Sequence, residues 1–548
     1  MTLSALLRVL LLLTAAGVNL AAQAKAPEDA LQIRPLAVDD AVFGGQVMTY
    51  SAGASHAPLV VLVHGLSRNA AGDWQGVIPM LAETYRVIAV DLPGFGRSTG
   101  GNHLYSPDAM ATAVRGAVRQ LDARPFTLVG HSMGGAIALA YARQFPDDLN
   151  RLVLVNLAGV LHHSVVAQGL SRLGVQSYAG ADAEQAAWLT QLTQAVLAEA
   201  DRLGISPTML IATPWLRQMG LGGQPMAISA LAMSAYDFGP ALREVRTPTE
   251  LIWGRDDAIT PLRTGQLAAA MMADARLTVL DGAAHMPMFE APEAFHTALR
   301  AAIAGRDTPA ARPLPRRAPT RRGVTHCLDE AGARFTGTLG DLDLTRCDDA
   351  VIENANLRSL RVQGGSVTLI NSHVHEGIEA RDTQLVLTAG SVTGDPALVL
   401  EDTHVDAAGT EFLLLGPHLA QNDGAAPLNL RFSVASRQPL GGEGQWLHRV
   451  VRVDRAWLRV AAGFVCLTKP DDGPVPRPDR AADRRGACQT LAGAHPHNFI
   501  QAIRNRHKPM APFGHLRIPS ERCHVVSAVC PLRSLVDGAH AADRRRGM

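Results

Sequence analysis

Between Leu59 and Leu280, short β-branched apolar runs alternate with helix-patterned stretches, and this alternation restricts the fold more than any other feature of the 548-residue chain. The runs are Leu59 to Val63, Val87 to Val90, Phe126 to Val129, Leu152 to Val155, Glu250 to Trp253 and Leu277 to Leu280. Most are apolar at successive positions, so both faces of each strand need cover. A parallel sheet with helices on both sides provides it. Helical patterns such as Pro107 to Leu121 and Gly135 to Phe145 lie between the runs. The expected fold class is therefore α/β, a mostly parallel central sheet flanked by helices, over residues 32–303. From Asn156 to about Val245 no strand pattern occurs, while Ala183 to Leu203 and Gln224 to Leu242 read as helices. The interval of about 157–245 is expected to form a helical cap over the C-terminal edge of the sheet, where such folds bind ligands.

A second texture begins after a linker at 304–324, in which the stretch Arg312 to Arg322 is rich in proline and arginine and reads as solvated chain. Over residues 325–433, short strand-like pieces are separated by Asn, Asp, Gly and Thr. Strands such as those at Leu344, Leu360, Ile378 and Leu398 recur at about 16 to 20 residues, the length of one solenoid coil. A smaller all-β domain is expected here, a right-handed parallel β-helix, with an antiparallel sandwich as the alternative. His373 and His375 lack further ligands at a recognisable spacing, so they read as solvent-facing rather than as metal ligands. No metal or cofactor is expected anywhere in the chain. Flat solenoid faces suit polymer or surface contact, an expectation resting on architecture alone. The tail at 434–548 shows no clear periodicity and is read as irregular.

Charge excludes one class of partner. Fifty-one basic against 50 acidic residues leave a formal charge of +1, which gives no footprint for nucleic acid. Residues 1–24 read as a cleavable export signal: Arg8, an apolar core from Val9 to Ala16, then Ala22-Gln23-Ala24. The core is shorter than the roughly 20 residues of a membrane span. The protein is thus expected to be exported, periplasmic or secreted. All six cysteines lie beyond residue 326, and an even number in an exported chain permits disulfides. Cys327 and Cys347 stand one coil apart.

The chemistry is carried by three loops. Gly130-His131-Ser132-Met133-Gly134 follows one strand run and opens a helix. A serine in so sharp a turn is held out of the sheet, its small neighbours let the backbone close, and the helix N-terminus places positive potential beside it. A hydroxyl needs a base to become a nucleophile. His285, in Asp281-Gly282-Ala283-Ala284-His285, follows the last run and can supply it. The histidine in turn needs a carboxylate to fix its tautomer. Asp256 and Asp257 both stand in the loop after the preceding run. The oxyanion formed on attack needs two donors. The backbone N–H groups of Leu66, after Val63-His64-Gly65, and of Met133 are expected to be these, with His64 itself structural.

Taken together these loops resemble the α/β-hydrolase fold superfamily, of the serine esterase and lipase kind, over about Val60 to Ala302. Asp91-Leu92-Pro93-Gly94-Phe95-Gly96-Arg97-Ser98 and Glu290 with Pro292 strengthen the likeness. The family commonly places its acid three positions after the glycine of the acid loop, here Gly254, so the resemblance implies Asp257 rather than Asp256. It implies a triad of Ser132, Asp257 and His285, an acyl-enzyme on Ser132, and a small-molecule or lipid-like ester as substrate. Aspartate-nucleophile relatives are excluded by Ser132. C–C bond and amide hydrolases remain alternatives, as does an adhesion or scaffold protein that works through the solenoid. The apolar, methionine-containing stretch from Met209 to Met233 suits an apolar acyl pocket or ordinary cap packing.

Overall fold

The computed structural model describes residues 33–67, 69–161, 211–305, 314–319, 323–439, 444–453, 457–461 and 464–468. The export-signal reading at 1–24, most of the expected cap and the last eighty residues of the tail lie outside the described residues.

The first domain is built on eight strands: β1 (Arg34–Asp39), β2 (Gln46–Ala52), β3 (Leu59–Val63), β4 (Arg86–Val90), β5 (Phe126–His131), β6 (Leu149–Val155), β7 (Thr249–Gly254) and β8 (Ala275–Leu280). Their order in the sheet is β1-β2-β4-β3-β5-β6-β7-β8. Strands β3 to β8 are mutually parallel, while β2 joins the edge antiparallel to β4. The alternation of side chains explains why most of the runs are apolar at successive positions. Val61, Val63, Ile88, Val90 and Leu128 enter one core with the helices Pro107–Leu121 and Met133–Gln144. Val60, Leu62, Val87, Ala89 and Val129 enter the opposite core with the helices Val77–Ala82 and Pro292–Ala304. Each fully buried aliphatic side chain adds about 1.5–3 kcal/mol. Among the described residues of the cap interval, only helices follow β6: Pro214–Leu221, Pro225–Ser234 and Gly239–Glu244.

The second domain is a stack of parallel coils, so the antiparallel alternative is set aside. Leu342, Leu360, Ile378, Leu398 and Ala420 stand in register on one face. Ile352, Leu369, Leu387, Ala407 and Phe432 line a second face, and Leu357, Val374, Val392, Phe412 and Arg437 a third. Inward positions from successive coils form one apolar core. Corners between faces use αL backbone, which Asn and Asp tolerate. Asn354 and Asn371 both have positive φ, and Asn371 Nδ2 donates to Asn354 Oδ1 at 2.8 Å. A disulfide joins Cys327 to Cys347 across adjacent coils.

Three sequence expectations change here. The boundary at 433 falls within the strand Leu428–Pro439, which pairs antiparallel with Gln445–Val453. The hairpin Trp457–Ala461 and Phe464–Thr468 carries the sheet further. The tail looked irregular because these strands mix arginine with valine instead of alternating cleanly. His373 is not solvent-facing. It is buried, with Nδ1 2.8 Å from Ser391 Oγ and Nε2 3.1 Å from the carbonyl oxygen of Leu314. Linker residues 314–319 run along the solenoid and cover it, so that part of the linker is docked chain. Arg317 N–H donates to Asn356 Oδ1 at 3.1 Å, and Arg316 pairs with Glu411.

The two domains are packed together. Ala389, Ala408 and Val434 of the solenoid share a core with Trp253, Leu267 and Ala268 of the first domain. The guanidinium of Arg243 lies over the ring of Trp446.

Candidate active site

Ser132 sits where β5 ends and the helix Met133–Gln144 begins, with φ 52° and ψ −115°. A non-glycine residue rarely adopts positive φ, and such strain persists only where surroundings impose it. They do so here. Ser132 N–H donates to the Val155 carbonyl at 2.9 Å, and Ser132 C=O accepts from Ala136 and Ala158. The flanking glycines are steric requirements. A Cβ at Gly130 would lie 2.3 Å from Gly134 O, and one at Gly134 would lie 2.3 Å from Val63 O.

The loops after β5, β7 and β8 bring the three side chains together. Ser132 Oγ lies 3.0 Å from His285 Nε2, and His285 Nδ1 lies 2.9 Å from Asp257 Oδ2. Asp257 is buried and Asp256 is exposed, so only the former reaches the ring. With Nδ1–H directed at the carboxylate, Nε2 is left to accept the serine proton. Gly254 lets the two loops touch, because a Cβ there would lie 2.0 Å from Ala284 O. Glu290 holds the histidine loop from below: its Oε2 accepts from Ala284 N–H at 2.6 Å and Met286 N–H at 3.2 Å.

The turn after β3 lies against the nucleophile. A Cβ at Gly65 would be 3.2 Å from Ser132 Cβ, which brings the backbone of Gly65 and Leu66 beside the serine. Met133 supplies the first N–H of the helix behind it. His64 Nε2 accepts from Leu92 N–H at 3.0 Å, so its Nδ1–H is the group 2.7 Å from Gly65 O. It braces the turn and presents no ring to the site.

Four further residues shape the site, and the sequence reading gave none of them a role. Asn156, at the end of β6 with φ 46°, is wholly buried and donates Nδ2 to Asp257 Oδ2 at 2.5 Å and to Ala284 O at 3.1 Å. Thr260 donates its hydroxyl to the same Oδ2 at 2.6 Å and its N–H to Oδ1 at 2.9 Å. Ile259 N–H adds a further bond to Oδ1 at 2.8 Å. Burial alone raises the carboxyl pKa of Asp257, but the bonds from His285, Thr260 and Asn156 outweigh it and hold the group below its ordinary value. His131 is buried beside Trp74 and has Nε2 2.8 Å from the carbonyl oxygen of His285. That contact requires Nε2–H, and burial, reinforced by the nearby His285, pushes its pKa down to about 3. Asp73 accepts from Gly65 N–H at 3.2 Å, and burial raises its carboxyl pKa. A sequence signal existed for Asn156 alone: a polar residue closing an otherwise apolar strand run.

A shallow recess beside the acid loop is lined by Leu157, Gly159, Val160, Leu161, Ile259, Thr260, Pro261 and Thr264. Among the described residues, no three His, Cys, Asp or Glu side chains are grouped to hold a metal ion.

The family model of the alpha/beta hydrolase fold matches residues 58–292. An uncharacterized protein of Mycobacterium tuberculosis is 30% identical over 260 residues, covering 44% of this chain and 74% of its own. The 2-hydroxy-6-oxo-6-phenylhexa-2,4-dienoate hydrolase of Burkholderia cepacia is 29% identical over 254 residues, covering 44% of this chain and 86% of its own. Among solved structures, a thermophilic esterase from Thermogutta terrifontis is 24% identical, with TM-score 0.36, covering 49% of this chain and 97% of its own. The chain belongs to the α/β-hydrolase fold family.

Proposed function

We propose that this protein is an exported serine hydrolase that cleaves carboxylic esters through an acyl-enzyme on Ser132. The observation that carries the proposal is the unbroken chain from Ser132 Oγ to His285 Nε2 at 3.0 Å and from His285 Nδ1 to Asp257 Oδ2 at 2.9 Å. His285 takes the hydroxyl proton as Ser132 Oγ attacks the ester carbonyl. Asp257 stabilises the imidazolium. The N–H groups of Leu66 and Met133 are assigned to the developing oxyanion, which the helix N-terminus at Met133 also favours. His285 then gives its proton to the departing alcohol. In the second half it draws a proton from water, which attacks the acyl carbon and frees Ser132. The Cys327–Cys347 disulfide supports export, since such bonds persist in oxidising compartments.

A second reading, hydrolysis of a C–C bond by the same three residues, is favoured by the likeness to the Burkholderia cepacia hydrolase. Two measurements decide. A fluorophosphonate probe is expected to label the wild type and not Ser132→Ala. Loss of labelling in both would remove the hydrolase reading and leave the solenoid as the working part. A panel of ester, amide, thioester and vinylogous 1,5-diketone substrates is expected to give highest kcat/KM on the esters, and a preference for the diketone would replace the ester reading with the second.

A further inference from the structure

The solenoid contacts the first domain chiefly along one helix, Leu262–Met271, and that helix begins two residues after Thr260. The contact is built from corners. Ala389, Gly409 and Val434 recur at the same corner of successive coils, all with positive φ, and Ala389 N–H donates to Ala408 O as Gly409 N–H does to Ser433 O. The helix sits so close to this row that a Cβ on Gly409 would lie 2.2 Å from Leu267 Cδ1.

Into this row the helix inserts Arg263. Its Nε donates to Thr388 Oγ1 at 2.7 Å, and one Nη donates to the carbonyls of Leu387 at 2.8 Å and Asp406 at 3.0 Å. The other Nη is 3.1 Å from Asp406 Oδ1, whose second oxygen meets Arg431 at 3.2 Å. The guanidinium therefore spans two coils, and its acid partner is tied to a third. A partly buried fork held by three hydrogen bonds and an ion pair is a firm attachment. Only Pro261 and Leu262 separate it from Thr260, which holds both oxygens of Asp257. Trp253 fixes the same segment from the sheet side, donating Nε1–H to Thr260 O at 2.8 Å.

We infer that Arg263 is a positioning residue for the triad, through which the solenoid forms part of the scaffold of the hydrolase site. The inference rests on the reading of Ser132, His285 and Asp257 as a hydrolytic triad. The helix start is held from one side by three coils and from the other by β7. Releasing the coil side lets Thr260 drift, loosens Asp257 and turns His285 from Ser132. A displacement of this kind, remote from the reacting atoms, costs up to about 100-fold in rate.

The test uses the full chain with Arg263→Met, Arg263→Lys and the milder Asp406→Asn. For each variant, kcat and KM on p-nitrophenyl butyrate, the rate of fluorophosphonate labelling and the unfolding temperature are measured. The far-downfield proton resonance of the His285–Asp257 hydrogen bond gives a readout independent of turnover. Arg263→Met is expected to lower kcat and the labelling rate about 10-fold or more, with KM within about twofold, and to broaden or shift the resonance. Lysine is expected to restore part of the loss, and Asp406→Asn to show a smaller loss in the same direction. If kcat and the resonance of the folded Met and Asn variants match the wild type while only the unfolding temperature falls, the clamp merely joins two domains and the inference is overturned. Should Arg263→Met fail to fold, the Asn variant decides by the same criterion. A wild type that the probe does not label overturns the triad reading and the inference with it, whereas equal labelling of wild type and variants overturns the inference alone.

Discussion

Replacing Asp257 with asparagine preserves volume and removes one charge, yet the structure predicts two separable losses. Five donors converge on this carboxylate: His285 Nδ1, Asn156 Nδ2 and the Thr260 hydroxyl on Oδ2, and the N–H groups of Ile259 and Thr260 on Oδ1. An amide offers one acceptor oxygen. Turned toward the first three, it sets its own N–H groups against the two backbone donors. Turned the other way, it sets them against His285, Asn156 and Thr260. At least two buried donors lose their acceptor either way, at about 1–3 kcal/mol each, so the fold loses about 2–6 kcal/mol. Where the amide turns its N–H groups toward His285, the ring is also drawn into the tautomer that carries its proton on Nε2, where it cannot take one from Ser132, and in either orientation the charge that stabilises the imidazolium is gone. A triad histidine so placed lowers kcat about 10⁴-fold. Urea denaturation and kcat on a p-nitrophenyl ester measure the two losses independently. Asp256→Asn is the control. Its side chain is exposed, and stability should stay within about 0.5 kcal/mol with kcat unchanged. Retention of kcat within tenfold in Asp257→Asn, or a large loss in Asp256→Asn instead, would falsify the assignment of the acid.

The pH dependence of stability follows from the same carboxyl. Its pKa is lowered in the folded state, so its contribution is present above the unfolded value of about 3.9 and is lost as pH falls through the lower folded value. The stability gap between wild type and Asp257→Asn should therefore narrow below about pH 4, and a gap that widens there would reverse the sign of the argument. His131→Leu removes the donor to the His285 carbonyl and should cost about 1–3 kcal/mol of stability and about tenfold in kcat/KM, with His131→Gln recovering most of both; equal losses in the two variants would show that the ring matters for its bulk alone. Gly134→Ala drives a methyl to within 2.3 Å of Val63 O, and a loss of at least about 3 kcal/mol or insoluble expression is expected. Replacing Cys327 and Cys347 with serine opens a bridge across 20 residues and should lower solenoid stability by about 3 kcal/mol under oxidising conditions, with no further effect of reductant.

The six apolar runs named from the sequence correspond to β3 through β8: β3 to β7 are buried along most of their length, which leaves few polar positions to obscure them, and the edge strand β8, with Arg276 and Thr278 exposed, still keeps Leu277, Val279 and Leu280. β1 and β2 were not legible. They pair antiparallel at an edge and are only partly buried, with polar residues such as Arg34, Asp39, Gln46 and Thr49 interrupting the pattern. Ser132, Asp257 and His285 were legible because each lies in a loop fixed by glycines whose local geometry is a steric necessity. Asn156 and His131 were not, since their partners stand on other loops, His131 meeting a carbonyl 154 positions away, and Thr260 was not, because a threonine three residues after an aspartate carries no mark of bonding to it. The same holds for His373, whose cover comes from Leu314 in the linker. The coil period was readable because identical corners repeat. The strands beyond Val434 were not, because they turn back as antiparallel hairpins and abandon that period.

The coils are unequal in duty. Those carrying Leu387, Asp406 and Val434 touch the first domain, whereas the rungs at Leu342 and Leu360 stand beyond the clamp. Each rung repeats the last by hydrogen-bonding to it in parallel, so a whole turn can be added or removed near Leu360 without altering the coils that Arg263 grips. The solenoid is thus a tower whose foundation is fixed and whose height is free to vary.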